Sequence, residues 1–166
     1  GSLVEIMGRL FPHISDEKEL FRIGSYKEEM YRELYRPHVK AIGGLHSFLD
    51  IQAKKNIPMG IATMGDQHNI DFIFEALQLN SYFHSTTGGH QVKHGKPHPE
   101  IFLTAAEKLN VAPEDCLAFE DTRSGVTAAK AAGMNVIGVT TMFDKNTLMD
   151  LGCIQVIDDF NSLIEF

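Results

Sequence analysis

Apolar residues recur at helical spacing from the first turn of the chain. Leu3, Ile6, Met7 and Leu10 fall at i, i+3, i+4 and i+7, one face of an amphipathic helix that Pro12 ends. Ser15 opens a second helix. Asp16, Glu17 and Glu19 suit the positive end of its dipole, Leu20, Ile23, Met30 and Leu34 form its apolar stripe, and Pro37 closes it. After Gly43 and Gly44 the texture changes. A helix over residues 45–56 leads into a short apolar strand at 58–63, then into a helix with Ile70, Ile73, Phe74 and Leu77 on one face. A strand at 83–87 follows, then a Gly-rich loop and a helix bearing Ile101, Phe102, Ala105 and Leu109. Strands at 116–119 and 135–139 flank a helix at 122–132, and the tail adds a helix near Asn146, a strand at 154–156 and a last short helix. Short apolar strands alternating with helices predict an α/β fold with a parallel sheet covered by helices on both faces. The one boundary in this pattern lies near Lys40, between a helical segment over residues 1–40 and an α/β unit over 41–166.

Composition narrows the function without choosing one. The 166 residues carry 15 Lys plus Arg against 22 Asp plus Glu, a net charge of −7, which gives no general attraction for nucleic acid or an anionic membrane. A hydrophobic share of 43% with 22% charged residues is ordinary globular usage and excludes a disordered chain. Two cysteines, Cys116 and Cys153, make no disulfide framework, so a reducing, cytoplasmic setting is expected. No apolar run is long enough to span a bilayer.

In an open parallel sheet, ligands bind beyond the carboxyl ends of the strands. The first strand is followed by Thr63-Met64-Gly65-Asp66, the second by a loop over residues 88–99 that contains Lys96 before Pro97, and the third by Glu120-Asp121-Thr122. These tips bring a hydroxyl, a lysine fixed by flanking prolines and two adjacent carboxylates to one crevice. A hydroxyl with free backbone N–H groups suits phosphate oxygens, lysine adds a compact positive charge, and the carboxylates are hard oxygen ligands for Mg²⁺. Taken alone, each has a plainer role: Glu120-Asp121 as a solvated turn, Lys96 as a surface lysine, Thr63 as a helix cap. His90, His94 and His98 stand four apart, but Gly88, Gly89, Gly95 and two prolines deny them a shared helical face, which argues against zinc. Arg123 is open between a solvent-facing helix residue and a charge behind the site.

Thr63, the block GKPHPEIF at 95–102 and the block FEDTRSGV at 119–126 stand in the order of motifs two, three and four of the haloacid-dehalogenase-like hydrolases. Lys96 lies 33 residues after Thr63, and Glu120 lies 24 after Lys96. The chain resembles the branch that contains β-phosphoglucomutase and phosphoglycolate phosphatase. The resemblance implies a Rossmann-like three-layer core with a partial helical cap, residues 1–40 matching the latter part of that cap. It also implies Mg²⁺-dependent phosphoryl transfer from a small phosphorylated metabolite, by a phosphatase or a sugar-phosphate mutase; phosphatase is favoured, since a mutase must protect its aspartyl phosphate from water. Thr63 would hold the phosphoryl group with the N–H groups of Met64 and Gly65. Lys96 would neutralise it, Glu120 and Asp121 would hold Mg²⁺, and Gly125 would let the next helix start close to the sheet.

Two departures stand out. Gly65-Asp66 replaces a hydroxyl and an Asn common in relatives. The family's first motif, a strand ending in Asp-x-Asp-Gly that supplies the nucleophile and the general acid/base, has no counterpart, since no Asp-x-Asp occurs in the 166 residues. Asp158-Asp159 follows a different strand. The expectation is a core lacking its first strand, with Gly1 as a cut edge, and a chain inactive alone that is either marginally stable or dimerises through the gap. The rival expectation is a phosphate-ligand or interaction module that has dispensed with the motif.

Overall fold

The computed structural model describes residues 3–164. Gly1 and Ser2, where the cut edge is expected, lie outside the described residues. Two helices come first, α1 (Leu3–Leu10) and α2 (Glu17–Tyr35). Asp16, not Ser15, caps α2: its carboxylate accepts the Lys18 N–H at 2.9 Å, a role the shorter serine one residue earlier does not take. The hairpin they form buries Met7 and Leu20, and Gly24 lets Leu3 approach the α2 backbone, where a Cβ would lie 2.6 Å from the leucine side chain. Other members of the expected stripes face outward: Leu10 is 64% exposed, Leu34 68% and Met30 41%, while Leu3 and Ile23 are half-buried.

The core follows as α3 (Leu45–Lys54), β1 (Gly60–Thr63), α4 (Gln67–Ala76), β2 (Ser85–Gly88), α5 (Glu100–Leu109), β3 (Leu117–Glu120), α6 (Arg123–Ala131), β4 (Asn135–Val139), α7 (Lys145–Asp150) and β5 (Gln155–Ile157), with a final 3-10 turn at Phe160–Leu163. Helix starts are written locally. Asp66, Thr122 and Asp144 cap α4, α6 and α7 by accepting the N–H groups of Asn69, Gly125 and Thr147 at 2.8–3.0 Å. All strand pairs are parallel, as the alternation predicts, but they do not make one sheet. Among the described residues β1 pairs with β2, while β3, β4 and β5 form a second sheet in that order.

The helices do not share that division. On one side α5 packs across β1 and β2 and also against α6, so a continuous helix layer underlies both sheets. Its core holds Ile101 and Phe102 of α5, Val126 and Ala129 of α6, Val136 of β4 and Leu148 of α7, with Ala62 of β1 packed against it. On the other side Ile137, Val139 and Ile157 meet Phe160, and Phe48 of α3 joins Phe119 and Phe160 at ring distances of 5.1–5.5 Å. β4 is thus buried on both faces, which explains its unbroken apolar run. The junction before α3 is held by the C-terminal turn. Phe160 N–H donates to Gly43 O at 2.8 Å, and Gly44, at φ +74°, sits where a Cβ would lie 2.6 Å from Asn161 N.

Candidate functional site

The facing edges of β1 and β3 are spanned by one side chain. Lys96 Nζ donates to Ala62 O of β1 at 3.2 Å and forms an ion pair with Glu120 Oε1 at the end of β3. Its ammonium also lies 4.8 Å from the centre of the Phe102 ring. Both partners are nearly enclosed, with side chains 12% and 8% exposed. The loop that delivers Lys96 is closed by Glu100, whose carboxylate accepts the N–H groups of Lys93 and His94 at 2.9 Å each. The Lys93 N–H, and after it that of His94, outweigh desolvation and hold the Glu100 carboxyl below the usual range.

Glu120 Oε2 accepts the Thr122 hydroxyl at 3.2 Å and the Asp121 N–H at 3.3 Å. Gly125 makes this possible: a Cβ there would stand 2.0 Å from Glu120 Oε2. The close approach expected of this glycine is therefore made to a carboxylate. Asp121 Oδ2 accepts the Thr141 hydroxyl at 2.7 Å, and Oδ1 has no hydrogen-bond partner among the described residues. Thr63 Oγ1 accepts the Gly65 N–H at 3.1 Å, which leaves the Thr63 O–H to donate outward. Thr63 is not a helix cap, because α4 begins later, at Gln67 under Asp66.

A pocket of about 390 Å³ gathers Thr63, Met64, Lys96, Glu120 and Asp121. Gly65 lines instead a neighbouring cleft of about 1800 Å³ between α2 and the loops after β1 and β2, and Met64 borders both. Cleft and helical hairpin are joined by a side-chain chain: Arg32 Nη1 donates to Asn69 Oδ1 at 2.9 Å, and Asn69 Nδ2 donates to Glu28 Oε2 at 2.7 Å.

The donor set fits Mg²⁺. Two adjacent carboxylates beside a pocket that also holds a lysine and a hydroxyl match an ion that keeps several waters and takes one or two carboxylates plus phosphate oxygen. No group of three or more His, Cys, Asp or Glu able to hold a metal occurs among the described residues; His94 and His98 pack with ring centres 4.7 Å apart, and His98 Nδ1 accepts the Glu100 N–H at 3.3 Å. Arg123 lies over Phe143 at 5.1 Å. Burial raises the thiol pKa of Cys116 and Cys153, so neither is an activated nucleophile. Asp158 accepts the Thr140 hydroxyl at 2.6 Å and Asp159 accepts the Asn161 N–H, so both C-terminal carboxylates are engaged elsewhere. Thr141, Glu100 and the Arg32–Asn69–Glu28 chain were not evident from sequence. Thr141 could have been found by extending the strand-end rule to β4.

The chain is 36% identical over 148 residues to a phosphorylated carbohydrates phosphatase of Thermotoga maritima, covering 87% of this chain and 67% of that one. It is 34% identical over 122 residues to the phosphoglycolate phosphatase of Escherichia coli strain K12, covering 73% of this chain and 46%, about half, of that relative. A solved HAD hydrolase of family IA, variant 3, from Entamoeba histolytica superposes with a TM-score of 0.86 at 29% identity, covering 97% of this chain and 74% of the other. Residues 2–139 match the family described as haloacid dehalogenase-like hydrolase, and to that family the chain belongs.

Proposed function

We propose that this site performs Mg²⁺-dependent phosphoryl transfer from a small phosphorylated metabolite, as a phosphatase rather than a sugar-phosphate mutase, once an Asp-x-Asp-Gly strand completes it in cis or in trans. The observation that carries the reading is the convergence of Thr63, Lys96, Glu120 and Asp121 on one pocket at the ends of β1 and β3. Lys96 has three N–H donors. Two are committed to Ala62 O and Glu120, so the third can meet a phosphoryl oxygen. The Thr63 hydroxyl and the N–H of Met64 would donate to it as well. The Gly65 N–H, already given to Thr63, instead fixes the direction of that hydroxyl. Asp121 and Glu120 would hold Mg²⁺, which neutralises phosphate charge when bound. The α2 side of the larger cleft would receive the rest of the metabolite. Phosphorylated carbohydrates and phosphoglycolate, named for the relatives, are the first substrates to try.

We assign residues 1–40 to a cap and 41–166 to the core. The unpaired edges of β1 and β3 are the place for the strand, whose carboxylates would attack phosphorus and handle the proton. The acidic chain suits a small-molecule substrate rather than nucleic acid or a membrane, among the described residues no helix is long and apolar enough to cross one, and the free thiols suit the cytoplasm.

The test is phosphate release with Mg²⁺, by the chain alone and with an Asp-x-Asp-Gly segment joined to it. The chain alone should match buffer. The completed form should turn over, and Lys96→Ala should cost it about 10²-fold or more. Turnover by the chain alone that Lys96→Ala abolishes would overturn the proposal. The missing Asp-x-Asp also favours a second reading, a phosphate-binding module without turnover. That reading predicts phosphate binding that Lys96→Ala removes and no turnover even in the completed form.

A further inference from the structure

Among the hydrogen bonds at the pocket, one joins a carboxylate to a neutral donor from a strand end that carries no motif. We propose that Thr141 is a positioning residue, whose hydroxyl fixes the Asp121 carboxylate so that it presents Oδ1 to a divalent cation. The inference rests on the metal reading of Asp121 above.

Thr141 lies in the turn after β4, the strand that pairs with β3, and the register Glu120↔Gly138 brings the two strand ends side by side. Its Oγ1 donates to Asp121 Oδ2 at 2.7 Å, while Oδ1 has no partner among the described residues. Asp121 and Glu120 are held by opposite kinds of donor. Glu120 gives one oxygen to the ammonium of Lys96, which competes with any cation for that charge. Asp121 is oriented by an uncharged hydroxyl, which restricts the carboxylate and leaves its negative charge available. The nearest basic residue along the chain, Arg123, is drawn over Phe143. A ligand carboxylate held in this way loses less freedom on binding, and outer hydrogen bonds of this kind typically contribute 10–100-fold in metal affinity.

The neighbouring residue supplies an internal control. Thr140 donates to Asp158 Oδ1 at 2.6 Å, after β5 and on the other side of β4, so adjacent hydroxyls serve different carboxylates.

The experiment titrates the chain with Mn²⁺, a paramagnetic substitute for Mg²⁺, and reads free ion by electron paramagnetic resonance. Wild type should bind, and Asp121→Asn should abolish that binding. Thr141→Val should weaken it about tenfold, with Thr141→Ala as a second variant should valine perturb folding. Thr141→Ser should restore it, and Thr140→Val should match wild type. If Asp121→Asn removes binding but Thr141→Val and Thr141→Ala bind like wild type, the role of Thr141 is overturned while the metal reading stands. If wild type itself takes up no Mn²⁺, the metal reading falls and Thr141 has nothing to position, so both are overturned.

Discussion

Gly125 shows how one missing side chain can set the chemistry of a pocket. It sits in the first turn of α6, at ordinary helical geometry, where alanine would normally be the better residue by about 1 kcal/mol. Its place is dictated by Glu120, whose carboxylate lies against the helix start and is held there by Lys96 and Thr122. Gly125→Ala must therefore expel that carboxylate, and we expect a loss of about 1–3 kcal/mol in chemical denaturation. The cause is specific. In a Glu120→Ala background the obstructing oxygens are gone, and the same glycine substitution should be neutral or stabilising. A loss of equal size in both backgrounds would show that the clash is not with Glu120.

The loop between β2 and α5 is organised by a single carboxylate, and this gives it an acid limit. Glu100 titrates below the usual range because the Lys93 N–H, followed by that of His94, favours its ionised form. A depressed folded-state pKa means that the stabilisation is complete above the ordinary glutamate value of about 4.3 and is lost as pH falls through the folded value. Wild type should thus exceed Glu100→Gln in urea midpoint at pH 7, and the gap should narrow as the pH falls below the ordinary glutamate range. A gap that is the same at both ends would remove Glu100 from the account. Elements of this kind divide what a sequence can and cannot tell. Helices and strands stand within a residue or two of where periodicity, prolines and glycines put them, because those signals are local, although the caps of α2 and α4 are Asp16 and Asp66 rather than Ser15 and Thr63. The pairing of Thr141 with Asp121, 20 residues apart, and of Asn69 with Glu28, 41 apart, depends on how strands and helices dock, which periodicity does not encode. Periodicity named Met30 and Leu34 as an apolar stripe, yet it reports only which face is apolar, not whether anything covers it.

In the whole molecule the same distinction becomes a question of assembly. Five parallel strands were legible, and five are present among the described residues, but a parallel sheet normally keeps all but its outermost edges paired, and here β1 and β3 each present one toward the other. Lys96 ties their ends together at a single level, and the α5–α6 layer holds them on one platform, yet their remaining backbone groups in that direction find no strand among the described residues. Unpaired edges of this kind recruit other strands. Two copies of this chain should therefore associate through them, and the melting temperature should rise by several degrees between about 1 and 100 µM protein as mass action stabilises the dimer. Sedimentation velocity over the same range should show a second species. The outward apolar residues of the hairpin offer a competing contact, and Leu10→Lys with Leu34→Lys separates the two. A dimer that survives these substitutions is built on the sheet edges, whereas one that disappears is built on α1 and α2. A monomer whose melting temperature is high and independent of concentration would contradict both, and would mean that the unpaired edges cost the fold little.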